Sequence, residues 1–181
     1  GKDMAHVADL IAGAANASAI DVGDFKLSLQ QVGAIAATVG FSIEDTAVAI
    51  AQLGKMGIKG SDACTSLKTM MMRLIPQTDV AAEKMRELGL ITATGANAFF
   101  DASGKVKSMA EVQELLYGAT KNLTQEQKLQ ALETLFGADA IRAAAILAKE
   151  GVAGYTEMAG AMGKVTAEAV AAKRLDNLRG D

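Results

Sequence analysis

Residues Val39–Leu74 read VGFSIEDTAVAIAQLGKMGIKGSDACTSLKTMMMRL, and this stretch decides the fold. Ser42 offers a hydroxyl at a helix N-cap and Asp45 a carboxylate three residues on, so orphan backbone N–H groups are satisfied and the macrodipole meets negative charge. A helix is expected from Ile43. On a wheel of about 3.6 residues per turn, Glu44, Asp45, Gln52 and Lys55 fall within an arc of roughly 100°, with Val48 among them. Apart from Thr46 and Gly54, the other positions are apolar: Ile43, Ala47, Ala49, Ile50, Ala51, Leu53 and Met56. A helix apolar over most of its circumference needs neighbours on several sides, which makes it the hub of the chain.

Gly57 is the natural residue to end this helix, since it takes positive φ without a Cβ penalty. Gly60-Ser61 is expected to cap a second helix that runs until Pro76 stops it. Cys64, Leu67, Met71 and Leu74 share one face of that helix, so the lone cysteine is expected to be a buried thiol. Met71 reads as core, with Met70 and Met72 on its flanks. The two helices form an αα-hairpin.

Outward from the hairpin, the totals agree with helix packing. Half of the 181 residues are apolar, only 4% are aromatic, and there is no Trp, so the core must be built from Ala, Leu, Ile, Val and nine Met. One Pro and few β-branched runs argue against an all-β fold. The expectation is all-α: a single helical domain spanning residues 1–181, with about eight or nine helices. Its clearest starts are two capping boxes, Ser108 with Glu111 and Thr124 with Gln127. Further helices are expected over residues 2–16, from Asp21 or Asp24 to Val39, from Thr78 or Asp79 to Leu88, over 139–150, over 154–161 and over 165–179. Between Leu90 and Lys107 the helical rhythm breaks, and a small β-hairpin is expected near 98–107, turning at Gly104 and docked by Phe99 and Phe100. The apolar seam Val165, Ala169, Ala172, Leu175 is unfinished at Asp181, so the chain is expected to be a piece of a longer protein.

The search for chemistry gives a negative. No phosphate-binding Gly-rich loop is present, and with one His and one Cys neither a zinc site nor a nucleophilic triad can be assembled. The acidic pairs Glu44 with Asp45 and Glu111 with Glu114 sit in or near first turns, where capping accounts for them. No catalytic residue, cofactor or metal is expected. A formal net charge of −3 gives no basis for a nucleic-acid footprint, and Lys68, Arg73, Lys84 and Arg86 read as a solvated face. The candidate partner surface is the strip Glu44, Asp45, Gln52 and Lys55, followed by the Phe99-Phe100 flap.

A family likeness runs through these marks. Gly40-Phe41-Ser42-Ile43-Glu44-Asp45, Ala47–Leu53, Gly57-Ile58-Lys59-Gly60-Ser61, Leu67, Pro76, Leu88-Gly89, Gly104, Leu123-Thr124 with Gln127, Phe136-Gly137 and Arg174-Leu175-Asp176-Asn177-Leu178 stand in an order that resembles the core region of phage tail tape measure proteins of the TP901 type. The departure is Ala93–Phe100, longer than the equivalent loop of that family. The resemblance implies a largely helical virion protein, held in the tail tube lumen after assembly in the host cytoplasm. It would take part in tail assembly, tail-length determination and genome ejection. Partners it implies are the tail tube protein, tail assembly chaperones, tail tip proteins and further copies of the chain, with no sequence-specific nucleic acid and membrane contact only by the parent chain. Two alternatives are weighed beside it: a membrane-active helical module, resting on Ala-rich helices such as 139–149, and an accessory domain of a cell-wall hydrolase.

Overall fold

The computed structural model describes the backbone of residues 4–179 and the side chains of residues 4–163. Eight helices follow one another: α1 (Met4–Ser18), α2 (Val22–Val39), α3 (Ile43–Lys55), α4 (Gly60–Met72), α5 (Asp79–Glu87), α6 (Met109–Thr120), α7 (Gln125–Phe136) and α8 (Ile141–Arg179). The hub is α3. Every residue from Thr46 to Leu53 is buried, and the helix packs against α1, α2, α4, α6 and α8. An interior helix of this kind requires small side chains where neighbours cross closely, and Ala47, Ala49 and Ala51 supply them at 0% exposure.

The ends of α3 form as their chemistry dictates. The Asp45 N–H donates to Ser42 Oγ at 3.1 Å. At the other end Gly57 takes φ 86°, the Ile58 N–H reaches back to the Leu53 carbonyl at 3.0 Å, and the Gly57 N–H reaches the Gly54 carbonyl at 2.9 Å. These two bonds are the Schellman closure, and they satisfy carbonyls the helix end would otherwise orphan. The second helix of the hairpin departs from expectation at both ends. Ser61 does not cap it: Lys59 holds the N-cap position without a side-chain bond. Nor does it reach Pro76. The Arg73 N–H bonds to both Thr69 and Met70 carbonyls, tightening the last turn, and Leu74 folds into the core while Asn97 Nδ2 donates to its carbonyl at 2.8 Å. Met70 as well as Met71 is core, with Met72 47% exposed.

The segment between α5 and α6 is not a β-hairpin. Among the described residues no strand forms; two isolated antiparallel bridges join Ile91 to Asn97 and Phe100 to Val106. Asp101 closes the turn beyond the second bridge: its Oδ1 accepts from the Ser103 hydroxyl at 2.6 Å and from the Ser103 and Lys105 N–H groups at 2.9 and 3.0 Å, while its own N–H donates to the Lys105 carbonyl at 2.8 Å. The same donors, the Ser103 hydroxyl foremost, hold the Asp101 carboxyl below the usual range. Backbone bonds cross the loop from Asp101 N–H to the Lys105 carbonyl and from Lys107 N–H to the Phe99 carbonyl, both at 2.8 Å, but they make a single bridge, and the fully buried Phe99 docks the loop on the helices.

Thr124 and Gln127 form the reciprocal capping box, whereas Ser108 accepts only from the Glu111 N–H. The three helices expected after Asp139 are one helical run broken at a single residue, Gly151, with φ 61° and ψ −162°. The apolar seam expected from Val165 onward lies outside the described side chains.

Gly54 shows how tightly α3 is enclosed. A Cβ at this position would lie 2.0 Å from Ile20 Cδ1, the buried residue that follows Ala19 at the α1–α2 corner. Alanine in a helix interior normally gains about 1 kcal/mol over glycine, but overpacking a filled core costs about 1–3 kcal/mol. At Gly54 the second effect is larger, and at Gly118, whose Cβ would meet nothing within 4 Å, only the first operates. Gly54→Ala is therefore expected to lower stability by about 1 kcal/mol or more and Gly118→Ala to raise it by about 0.5–1 kcal/mol, read as opposite shifts of the urea midpoint at constant slope.

Candidate functional site

The strip on α3 faces inward over much of its length. Gln52 is 2% exposed and pairs with Gln113 of α6, each amide donating to the other's oxygen at 3.0 and 2.7 Å. Asp45 uses both carboxylate oxygens on the chain itself: Oδ2 accepts the Met109 N–H at 2.8 Å and Oδ1 accepts the Tyr155 hydroxyl at 2.5 Å. Glu44 Oε1 lies 3.0 Å from His6 Nε2 of α1. Lys55 alone of the four is exposed, beside the exposed Met56. The expected partner surface is thus not one continuous face, because the neighbours that an apolar hub demands also cover its polar strip. Phe99 is buried and Phe100 is half-buried, so the flap offers an edge and no aromatic pair.

What the arrangement does is join helices. The first N–H of α6 belongs to the orphan set of a helix N-terminus, and a carboxylate there meets both the donor and the positive end of the dipole. One side chain therefore ties the starts of α3 and α6 to the turn of α8 that follows Gly151. Burial raises the Tyr155 hydroxyl well above its ordinary range, and the hydrogen bond to Asp45 and the nearby negative charge of Asp45 and Glu44 push in the same direction.

Sequence reading missed Tyr155, Gln113 and the role of Glu114, whose Oε2 accepts the Val152 N–H at 2.9 Å across the α8 break and does not serve its own helix. Gln113 did carry a signal: it sits one turn from Met109 on the apolar face of α6, as Gln52 sits within an apolar helix. Two such glutamines can satisfy each other. Tyr155 lies on a half-buried position and Glu114 on an exposed one, and nothing local distinguishes either.

Beside this cluster, α1, α3 and α8 line an open pocket of about 320 Å³, with His6, Asp9, Glu44 and Tyr155 over Leu10 and Val48. Among the described residues no group of three or more His, Cys, Asp or Glu is placed to hold a metal. Cys64 is buried with its Sγ 3.9 Å from the Ser28 carbonyl. Among the described residues no helix is long and apolar enough to cross a membrane. Of the four cations read as a solvated face, Lys84 pairs with Glu87 at 2.9 Å and Arg86 with Glu83 at 3.3 Å.

These features define an all-helical packing module whose buried polar groups serve its own assembly. The chain belongs to the phage-related minor tail protein family, which matches residues 1–137. It is similar to the tape measure protein of Pneumococcus phage Dp-1, at 34% identity over 136 residues, 75% of this chain and 11% of that protein. It is also similar to the probable tape measure protein of Escherichia phage P2, at 30% identity over 184 aligned positions, 98% of this chain and 22% of that protein. The chain spans less than a quarter of either relative's length. No solved structure matches it.

The Tyr155 proton gives a test by pH. The folded chain holds this proton more tightly than the unfolded chain does, so the stability it contributes is present below the ordinary tyrosine pKa of about 10 and is lost as pH rises through and above it. Between about pH 10 and 12, wild type is expected to lose stability more steeply than Tyr155→Phe, measured by urea unfolding across that range.

Proposed function

We propose that the chain is a structural and assembly module of a phage tail tape measure protein, of the TP901-type core, acting in tail assembly, tail-length determination and genome ejection and not as an enzyme. The observation that carries this reading is the internal use of the polar groups: Asp45, Gln52 and Gln113 are spent on joining α3 to α6 and α8, as in a scaffold. Family membership and relatives named as tape measure proteins support it. We take residues 1–181 as one domain of a longer chain. Length setting would belong to the whole parent protein, since a helix rises about 1.5 Å per residue and reach scales with the extended helical part. The domain itself anchors or packages that extended part. Its partners on this reading are the tail tube protein, tail assembly chaperones, tail tip proteins and other copies of the chain, in the tube lumen of the virion and earlier in the host cytoplasm. For partner contact we retain the accessible members of the original set, Lys55, Glu44 and Phe100.

The test is made in the virus that encodes the chain. Leu67 is fully buried at the centre of α4, and an aspartate there would cost several kcal/mol without a partner. Leu67→Asp is expected to give absent or malformed tails by electron microscopy, while Gly118→Ala gives normal ones. Normal tails of normal length from the Leu67 variant would remove the assembly role.

A further inference from the structure

Helix α8 runs from Ile141 to Arg179 with helical geometry on both sides of one residue. At Gly151, φ 61° and ψ −162° fall in a region that L-residues with a Cβ do not enter. A Cβ there would also press on Glu114 Oε2 at 3.2 Å and Tyr117 Cβ at 3.3 Å. Gly154 completes the corner, since a Cβ at that position would lie 2.0 Å from Glu150 Oε2.

The two arms of the corner are held unequally. Before it, Ala143, Ala144, Leu147 and Ala148 are buried to 1% exposure or less, and Ser66 Oγ of α4 accepts the Ala143 N–H at 2.9 Å. After it, among the described residues, Met158 and Met162 are the buried large side chains and Tyr155 and Ala159 pack partly buried against the core beside α1, with two polar latches: Glu114 Oε2 on the Val152 N–H and Asp45 Oδ1 on the Tyr155 hydroxyl. The alternative to the corner is the ordinary state of any helical sequence. Rotating the single residue Gly151 into helical dihedrals would make α8 one rod of about 58 Å at 1.5 Å per residue.

We propose that Gly151 is a hinge, at which the arm beyond it unlatches from Asp45 and Glu114 and swings out to continue the first arm as a straight helix, while α1 to α7 stay folded. The closed corner is the resting state. The open state lengthens one end of the domain without unfolding the hub. This inference rests on the helical geometry and is independent of the assembly role.

Native-state hydrogen exchange and small-angle scattering of the 181-residue chain test it. In wild type, amides of residues 152–163 are expected to exchange through a local opening at least about tenfold faster than those of Leu67 and Leu132. Gly151→Ala disfavours the corner and favours the rod. It is expected to raise the radius of gyration by about 3 Å or more over the roughly 16 Å of a compact chain of this length, with Leu67 and Leu132 still protected. Gly160→Ala, where a Cβ meets nothing within 4 Å, should leave the radius unchanged. If Gly151→Ala fails to fold, Tyr155→Phe decides: it removes a latch and keeps the glycine, and should speed exchange over 152–163 about tenfold with less than twofold change at Leu67 and Leu132. An unchanged radius in a folded Gly151→Ala, or exchange that rises uniformly or not at all in Tyr155→Phe, overturns the hinge.

Discussion

The Asp45 carboxylate is the group on which the placement of α6 and of the closed arm of α8 on the hub depends. It stands in the first turn of α3, where a negative charge is favoured by the dipole, and its oxygens accept the Met109 N–H of α6 and the Tyr155 hydroxyl of α8. Hydrogen bonds to a charged group contribute about 1.5–3 kcal/mol each, more than neutral ones, and a partner left unsatisfied inside the protein costs a comparable amount. Apolar packing around α3 supplies cohesion without direction. Asp45 supplies direction, because only one placement of α6 and one of α8 brings their donors to it.

A second layer of specificity comes from polar groups placed among alanines. The Gln52–Gln113 pair fixes the register of α3 against α6, since a slip of one residue would bury two unsatisfied amides. Ser66 does the same for α4 and the start of α8 by capping the Ala143 N–H from 77 residues away in sequence. A core poor in aromatics and rich in Ala and Met fills space adaptably, so it specifies geometry weakly on its own. Buried hydrogen bonds give this core its register.

Local chemistry made much of this legible in advance. The Ser42 cap, the Gly57 closure, the Thr124 capping box and the near-total burial of α3 follow from residues within one or two turns of each other. What the local pattern misjudged was decided by distant residues. The strip Glu44, Asp45, Gln52 and Lys55 reads on a wheel as a partner surface, yet Met109 and Tyr155 engage Asp45 and Gln113 engages Gln52, each from more than 60 residues away. Strand-like residues near 98–107 pair for only one bridge, turn at Asp101 and dock through Phe99, an outcome that alternation of residue types does not encode. Glu114 was read as a first-turn acid and acts instead on another helix.

The most direct test of the central claim is the unfolding free energy of Asp45→Ala, paired with amide exchange at Met109 and Val112. The account predicts a loss of about 2 kcal/mol or more, together with faster exchange at the start of α6 and in α8 beyond Gly151, because two donors lose their shared acceptor at once. A loss below about 0.5 kcal/mol, with exchange at Met109 unchanged, would mean that apolar packing alone positions α6 and α8, and would contradict it.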